Sequence, residues 1–205
     1  MILLLDRWLG FADRLSRYAI WIGGTLVLAS AILVSVDVIL RKLLLVSLGG
    51  ADELSGYAFA IGTTWALAFT LLRRANVRVD ALYIHLPRVI CAMLDILALA
   101  ALGGFLALLT WQACDVLGTS LAFSARATTP LQTPLWIPQS LWLAGLSLFL
   151  FTITPLLLRS LFALLGGDLA KVRSLAGART IEEDAADEAA HTATIKPVAS
   201  LKPQD

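Results

Sequence analysis

The chain has 205 residues, of which 59% are hydrophobic and 15% charged, against roughly 45–50% and about 25% in soluble domains. A mean hydropathy of +0.82 excludes disorder for most of the chain, because disordered segments are poor in aliphatic residues. With 16 Lys+Arg against 15 Asp+Glu the net charge is +1, which leaves no basic excess for nucleic acid. The composition is that of a membrane protein.

Residues 1–17 place charged residues and one glycine at 6, 7, 10, 13, 14 and 17, with Leu4, Leu5, Trp8, Leu9, Phe11, Ala12 and Leu15 on the opposite face. This spacing predicts an amphipathic helix lying at a lipid interface. Four apolar stretches follow, predicted as spans at about 18–40, 54–72, 89–111 and 138–160. Each is near the ~20 residues needed to cross about 30 Å of hydrocarbon. Ala29-Ser30-Ala31 matches a small-x-small cleavage pattern, so a cleaved leader is the alternative for the first span. The apolar run continues to Leu40, longer than a signal core of 7–15 residues, which favours a retained span.

The connection at 73–88 contains Asp80 as a cap for a second short interfacial helix, with Val79, Leu82, Tyr83 and Leu86 apolar and Pro87 opening span three. Pro130, Pro134 and Pro138 preclude regular helix near the end of the 112–137 connection, predicted as an extended or turned segment. After Gly166-Gly167 the tail is polar and acidic; residues 166–205 are predicted as a mostly disordered tail, with the disorder beyond about residue 175. The fold class is therefore all-α: residues 18–165 as a four-helix transmembrane domain, plus amphipathic interfacial helices.

Thirteen of the 16 basic residues fall in the leader, the 73–88 connection and the tail. Arg41, Lys42 and Arg126 are the other three. The positive-inside rule then places both termini in the cytoplasm, with 41–53 and 112–137 outside.

Chemistry-bearing groups are sparse. The histidines are His85 and His191, outside the spans, and no HExxH, CxxC or phosphate-cradling glycine motif occurs. No catalytic, cofactor or metal site is expected, and no enzymatic activity. Cys91 and Cys114 lie about 34 Å apart along a straight helix, too far for a disulfide. Asp37 sits four residues before Arg41 and reads as half of a local ion pair; Asp95 lies two turns from Arg88. Ion coordination is the functional alternative for both acids. Ala58, Gly62 and Ala66 form a small-residue row suited to close helix packing, within this bundle or against another subunit.

Several elements together resemble the small membrane subunit of tripartite ATP-independent periplasmic (TRAP) transporters, the DctQ type. They are Arg41 closing the first span, Asp52-Glu53-Leu54, Gly62, the run Arg73-Arg74-Ala75-Asn76-Val77-Arg78-Val79-Asp80, and Leu86-Pro87. Thr129-Pro130-Leu131 and Thr133-Pro134-Leu135-Trp136-Ile137-Pro138 complete the set, so the resemblance runs from about residue 15 to 160. Asn76 stands where many members carry histidine.

The resemblance implies a bacterial inner-membrane protein with two protein partners. One is a large membrane subunit that moves solute with an ion gradient, usually sodium; the other is a periplasmic solute-binding protein that captures an organic acid or similar solute. Arg41, Asp52, Glu53, Arg126 and Trp136 become candidate outer docking or structural residues. Ala58, Gly62 and Ala66 become candidate subunit-interface residues, and Arg73, Arg74, Asn76 and Asp80 interfacial ones. Two rival readings are an independent four-helix transporter or channel, and an anchor or assembly factor for a different complex.

Overall fold

The computed structural model describes residues 2–74 and 86–177, together with Ala185, Ala189 and Thr192. Over these residues the chain forms five helices: α1 (Ile2–Leu44), α2 (Ala51–Leu72), α3 (Arg88–Ala122), α4 (Trp136–Leu165) and α5 (Leu169–Ala176). The first four are long and apolar enough to cross a membrane.

α2 and α4 form the middle of the bundle. α1 packs on α2 and also on α4, α3 packs on the other flank of α4, and α5 lies under α3 and α4. The main core is aliphatic and aromatic, with Leu71 of α2, Leu99 and Leu106 of α3, and Leu146, Phe149 and Ile153 of α4 buried together. At the α5 end, Val172 is buried with Ala92 of α3 and Ala163 of α4.

Three boundaries differ from the sequence expectation, each for a local reason. The leader is not a separate element: α1 runs unbroken from residue 2 to 44, because nothing between the leader and the first span interrupts helix. The leader's acids bind neighbouring helices. Asp6 pairs with Arg159 of α4, and Asp13 lies 2.9 Å from Arg17 and 3.5 Å from Arg73 at the end of α2. Trp8 and Phe11 stack on Phe151 of α4, with ring centroids 5.1 and 6.1 Å apart.

Secondly, α3 continues to Ala122, so residues 112–122 are helix and the connection shrinks to 123–135. Hydrocarbon thickness limits a span, not a helix; the prolines begin only at 130, and Ala113 and Ser120 are buried. α3 ends in a Schellman motif with Ser124 left-handed (φ 47°), Ala125 N–H donating to Ser120 O and Ser124 N–H to Leu121 O. α4 starts at Trp136, two residues before the expected boundary, with Pro138 in its first turn, where a missing N–H breaks no helical bond.

Thirdly, the expected tail begins with folded structure. Gly167, at φ 74°, closes α4 with Asp168 N–H on Ala163 O; Asp168 then caps α5, its side chain accepting from Lys171 N–H. The predicted interfacial helix around Asp80 and the acidic part of the tail lie outside the described residues.

Candidate functional site

At the end of the bundle formed by the 45–50 and 123–135 connections, polar side chains converge on Asp37. α1 ends at Leu44 and Leu45 adopts a left-handed backbone (φ 56°), which turns the chain back over the helix. Leu48 N–H then donates to Asp37 Oδ1 at 2.7 Å, and Ser47 Oγ donates to the same oxygen at 3.2 Å. The second carboxylate oxygen pairs with Arg41, one turn along α1. Asp37 is 1% exposed and Arg41 half exposed, so the acid is held inside while the cation reaches the surface.

Arg41 also approaches Asp52 in the first turn of α2, at 3.7 Å. The adjacent Glu53 links α2 to the proline-containing connection: Tyr57 Oη–H donates to Glu53 Oε1 at 2.9 Å, and Thr129 Oγ1–H donates to Oε2. A side-chain hydrogen bond from Thr133 joins them. The connection itself closes through Ala127 N–H on Thr133 O at 3.0 Å and Leu135 N–H on Ala125 O at 3.1 Å, with Arg126 and Pro134 bridged. A cleft of about 280 Å³ lies between Arg41, Asp52, Glu53 and Thr129. Asp52 and Glu53 carry negative charge at the N-terminus of α2, where the helix dipole favours it.

This arrangement fastens four chain segments to one another and presents charge on the surface. It lacks a nucleophile–base pair. Among the described residues, no group of three or more His, Cys, Asp or Glu is placed to hold a metal ion. Arg126 and Trp136 are exposed on the same connection and at the start of α4.

The remaining sequence candidates separate. Gly62 is buried against α1: a Cβ built there would lie 2.6 Å from Val27 Cγ2 and 2.9 Å from Gly23 O. Its small size is thus used inside this chain. Ala58 is buried and Ala66 half-buried. On the other face of α2, Gly145 of α4 meets Thr64 and Trp65, and Trp65 Nε1–H donates to Leu141 O at 2.8 Å. Arg73 caps α2 and stacks its guanidinium over Phe69 at 5.1 Å, while Arg74 is left-handed at φ 52°. Asn76 and Asp80 lie outside the described residues. Asp95 is buried and lines a cavity of about 290 Å³ with Cys91 and Arg173. Neither cysteine forms a disulfide.

Sequence reasoning missed Thr129 as a partner of Glu53, Gly23 as the partner of Gly62, and the Asp6–Arg159 pair. Each joins residues far apart in sequence, whereas the i, i+4 spacing of Asp37 and Arg41 and the small-residue row at Gly62 are signals that a sequence carries by itself.

Four long apolar helices, closed at one end by a polar clasp, define a multi-pass helical membrane protein. The family model for tripartite ATP-independent periplasmic transporters, DctQ component, matches residues 30–163, from the middle of α1 nearly to the end of α4. The chain belongs to that family: it is the DctQ-type small membrane component of a TRAP transporter and not an enzyme. Neither a curated protein nor a solved structure matches the chain.

Proposed function

We propose that this chain is the fixed scaffold beside the large membrane subunit of its transporter, and that its loop end helps dock the periplasmic solute-binding protein. Transport in this reading is uptake of an organic acid or similar small solute, driven by a sodium gradient through the large subunit. The observation that carries it is the division of surface. Asp37 and Gly62 are used inside the bundle, while α1 and α3 keep broad apolar flanks. Leu28, Ile32 and Ile39 on α1, and Leu97, Phe105 and Leu108 on α3, are exposed. These flanks suit lipid or another helical protein, and the exposed charges Arg41 and Asp52 suit a soluble partner, whose approach rim charges steer.

In this reading the loop end faces the periplasm and α5 the cytoplasm of a bacterial inner membrane, following the partition of basic residues. In a background lacking Cys91 and Cys114, single cysteines at Lys42 and Ser124 should react with an impermeant thiol reagent in sealed right-side-out cells, and one at Ser174 should not. The reverse pattern would invert the topology.

Reconstitution tests the function. Liposomes holding both membrane subunits, with the binding protein outside, should accumulate solute only under an inward sodium gradient, and leaving out this chain should abolish uptake. Flux through liposomes containing this chain alone would instead make it an independent channel.

A further inference from the structure

A second cleft, of about 200 Å³, lies at the α5 end between the start of α1, the end of α4 and α5. Its walls are chemically divided. Leu5, Phe162 and Ala163 supply an apolar side, and Arg159 and Lys171 supply two cations. Further from α5, Phe11 of α1 and Phe151 of α4, both exposed and in edge contact, continue the apolar surface of the two helices.

Two carboxylates stand beside these cations: Asp168 also lines the cleft, and Asp6 reaches Arg159 from α1. Asp168 Oδ1 accepts the Lys171 backbone N–H at 3.0 Å, which holds the first turn of α5, and Asp6 pairs with one terminal nitrogen of Arg159. Arg159 Nε is buried and has no acceptor among the described residues. A buried guanidinium N–H without an acceptor is costly, so Arg159 is held less firmly than a fully bonded guanidinium, and the 23% of its side chain that is exposed borders the cleft.

We propose that this cleft binds the headgroup phosphate of a membrane phospholipid, with the acyl chains running from it toward the membrane interior along α1 and α4, past Phe11 and Phe151. A phosphodiester has only acceptors, so it suits the exposed part of a guanidinium and the point charge of an ammonium. A soluble anion would satisfy the same two cations but leave the apolar wall in water; a lipid covers both. The bound lipid would join α1, α4 and α5 at one leaflet, where the Asp6–Arg159 pair already ties the leader to the bundle.

The test uses the full-length chain, delipidated in detergent, and follows its thermal unfolding with added phosphatidylglycerol, diacylglycerol or inorganic phosphate. Phosphatidylglycerol should raise the unfolding temperature saturably, and the other two should do so little. Lys171→Glu should weaken the apparent affinity for phosphatidylglycerol at least about fivefold, the factor that corresponds to roughly 1 kcal/mol for each basic side chain near an anionic surface; Lys171→Arg should retain it. Arg126→Glu, at the opposite end, should behave as wild type. Lys171→Gln, with an unfolding temperature matched to wild type before lipid is added, separates lost binding from lost folding of α5. An unchanged affinity in Lys171→Gln and Lys171→Glu would overturn the proposal. So would equal stabilisation by inorganic phosphate, which would make the cleft a free-anion site, or by diacylglycerol, which would leave the phosphate without a role.

Discussion

Replacing Gly62 with leucine is expected to remove most of the folded protein from the membrane, even when the subunit is expressed alone. The first added atom would sit 2.6 Å from Val27 Cγ2 and 2.9 Å from the carbonyl oxygen of Gly23, both inside van der Waals contact. α2 cannot simply retreat, because its other face is held by α4, where Gly145 packs against Thr64 and Trp65 and Trp65 bonds Leu141. Overpacking of this kind costs about 1–3 kcal/mol, and a loss of 1–2 kcal/mol lowers cellular abundance several-fold. Gly62→Ala should show a smaller drop. Gly24→Leu provides the control, since a Cβ at Gly24 meets nothing within 4 Å. Quantitative immunoblotting of membranes, with and without the large subunit, checks this. A Gly62→Leu protein that accumulates normally alone and fails only in pairing would move the contact from the interior of this chain to a partner surface.

The second large effect is expected from Arg41→Ala. The substitution leaves Asp37, 1% exposed, without its cation, and a buried charge that loses its partner is strongly destabilising. The Leu48 N–H and Ser47 hydroxyl remain on Asp37 Oδ1, but the oxygen facing Arg41 loses its counter-charge, and the link from α1 to Asp52 is lost with it. Membrane levels of Arg41→Ala should fall well below those of Arg126→Ala, whose side chain is exposed. The double variant Asp37→Asn/Arg41→Ala should recover part of the loss, because no buried charge is then left alone. No recovery in the double variant would mean that Arg41 acts through Asp52 or a partner instead.

These two sites mark how far the sequence could be read. Span number and approximate position were legible because hydrocarbon thickness imposes a minimum apolar length, which composition alone reveals. The Asp37–Arg41 pair was legible because i, i+4 residues share a helix face. Glu53 with Thr129, 76 residues apart, was not, since nothing local in either segment specifies the other. The close approach at Gly62 was visible as a small-residue row, but its partner Gly23 was not, because small residues mark a contact without naming the facing helix. Element ends were misplaced where membrane thickness was taken as helix length: α3 runs to Ala122 and α1 keeps the leader within one helix. α5 was hidden in a polar tail because two of its eight residues, Val172 and Ala176, supply the buried contacts.

The internal role of Gly62 also relocates the search for the large subunit. A surface that carries a stable complex should be exposed in this chain, and the apolar flanks of α1 and α3 meet that requirement. The clasp around Asp37 would then serve a second purpose, holding the loop end in one shape for a soluble partner at little ordering cost.

The measurement that tests the central claim most directly is co-purification. An affinity tag on this chain, with the complex extracted from native membranes in mild detergent, should retain the large membrane subunit at close to one copy per copy. It should also retain the solute-binding protein when solute is present. Recovery of this chain alone, from cells in which its deletion leaves uptake of the solute unchanged, would contradict the account.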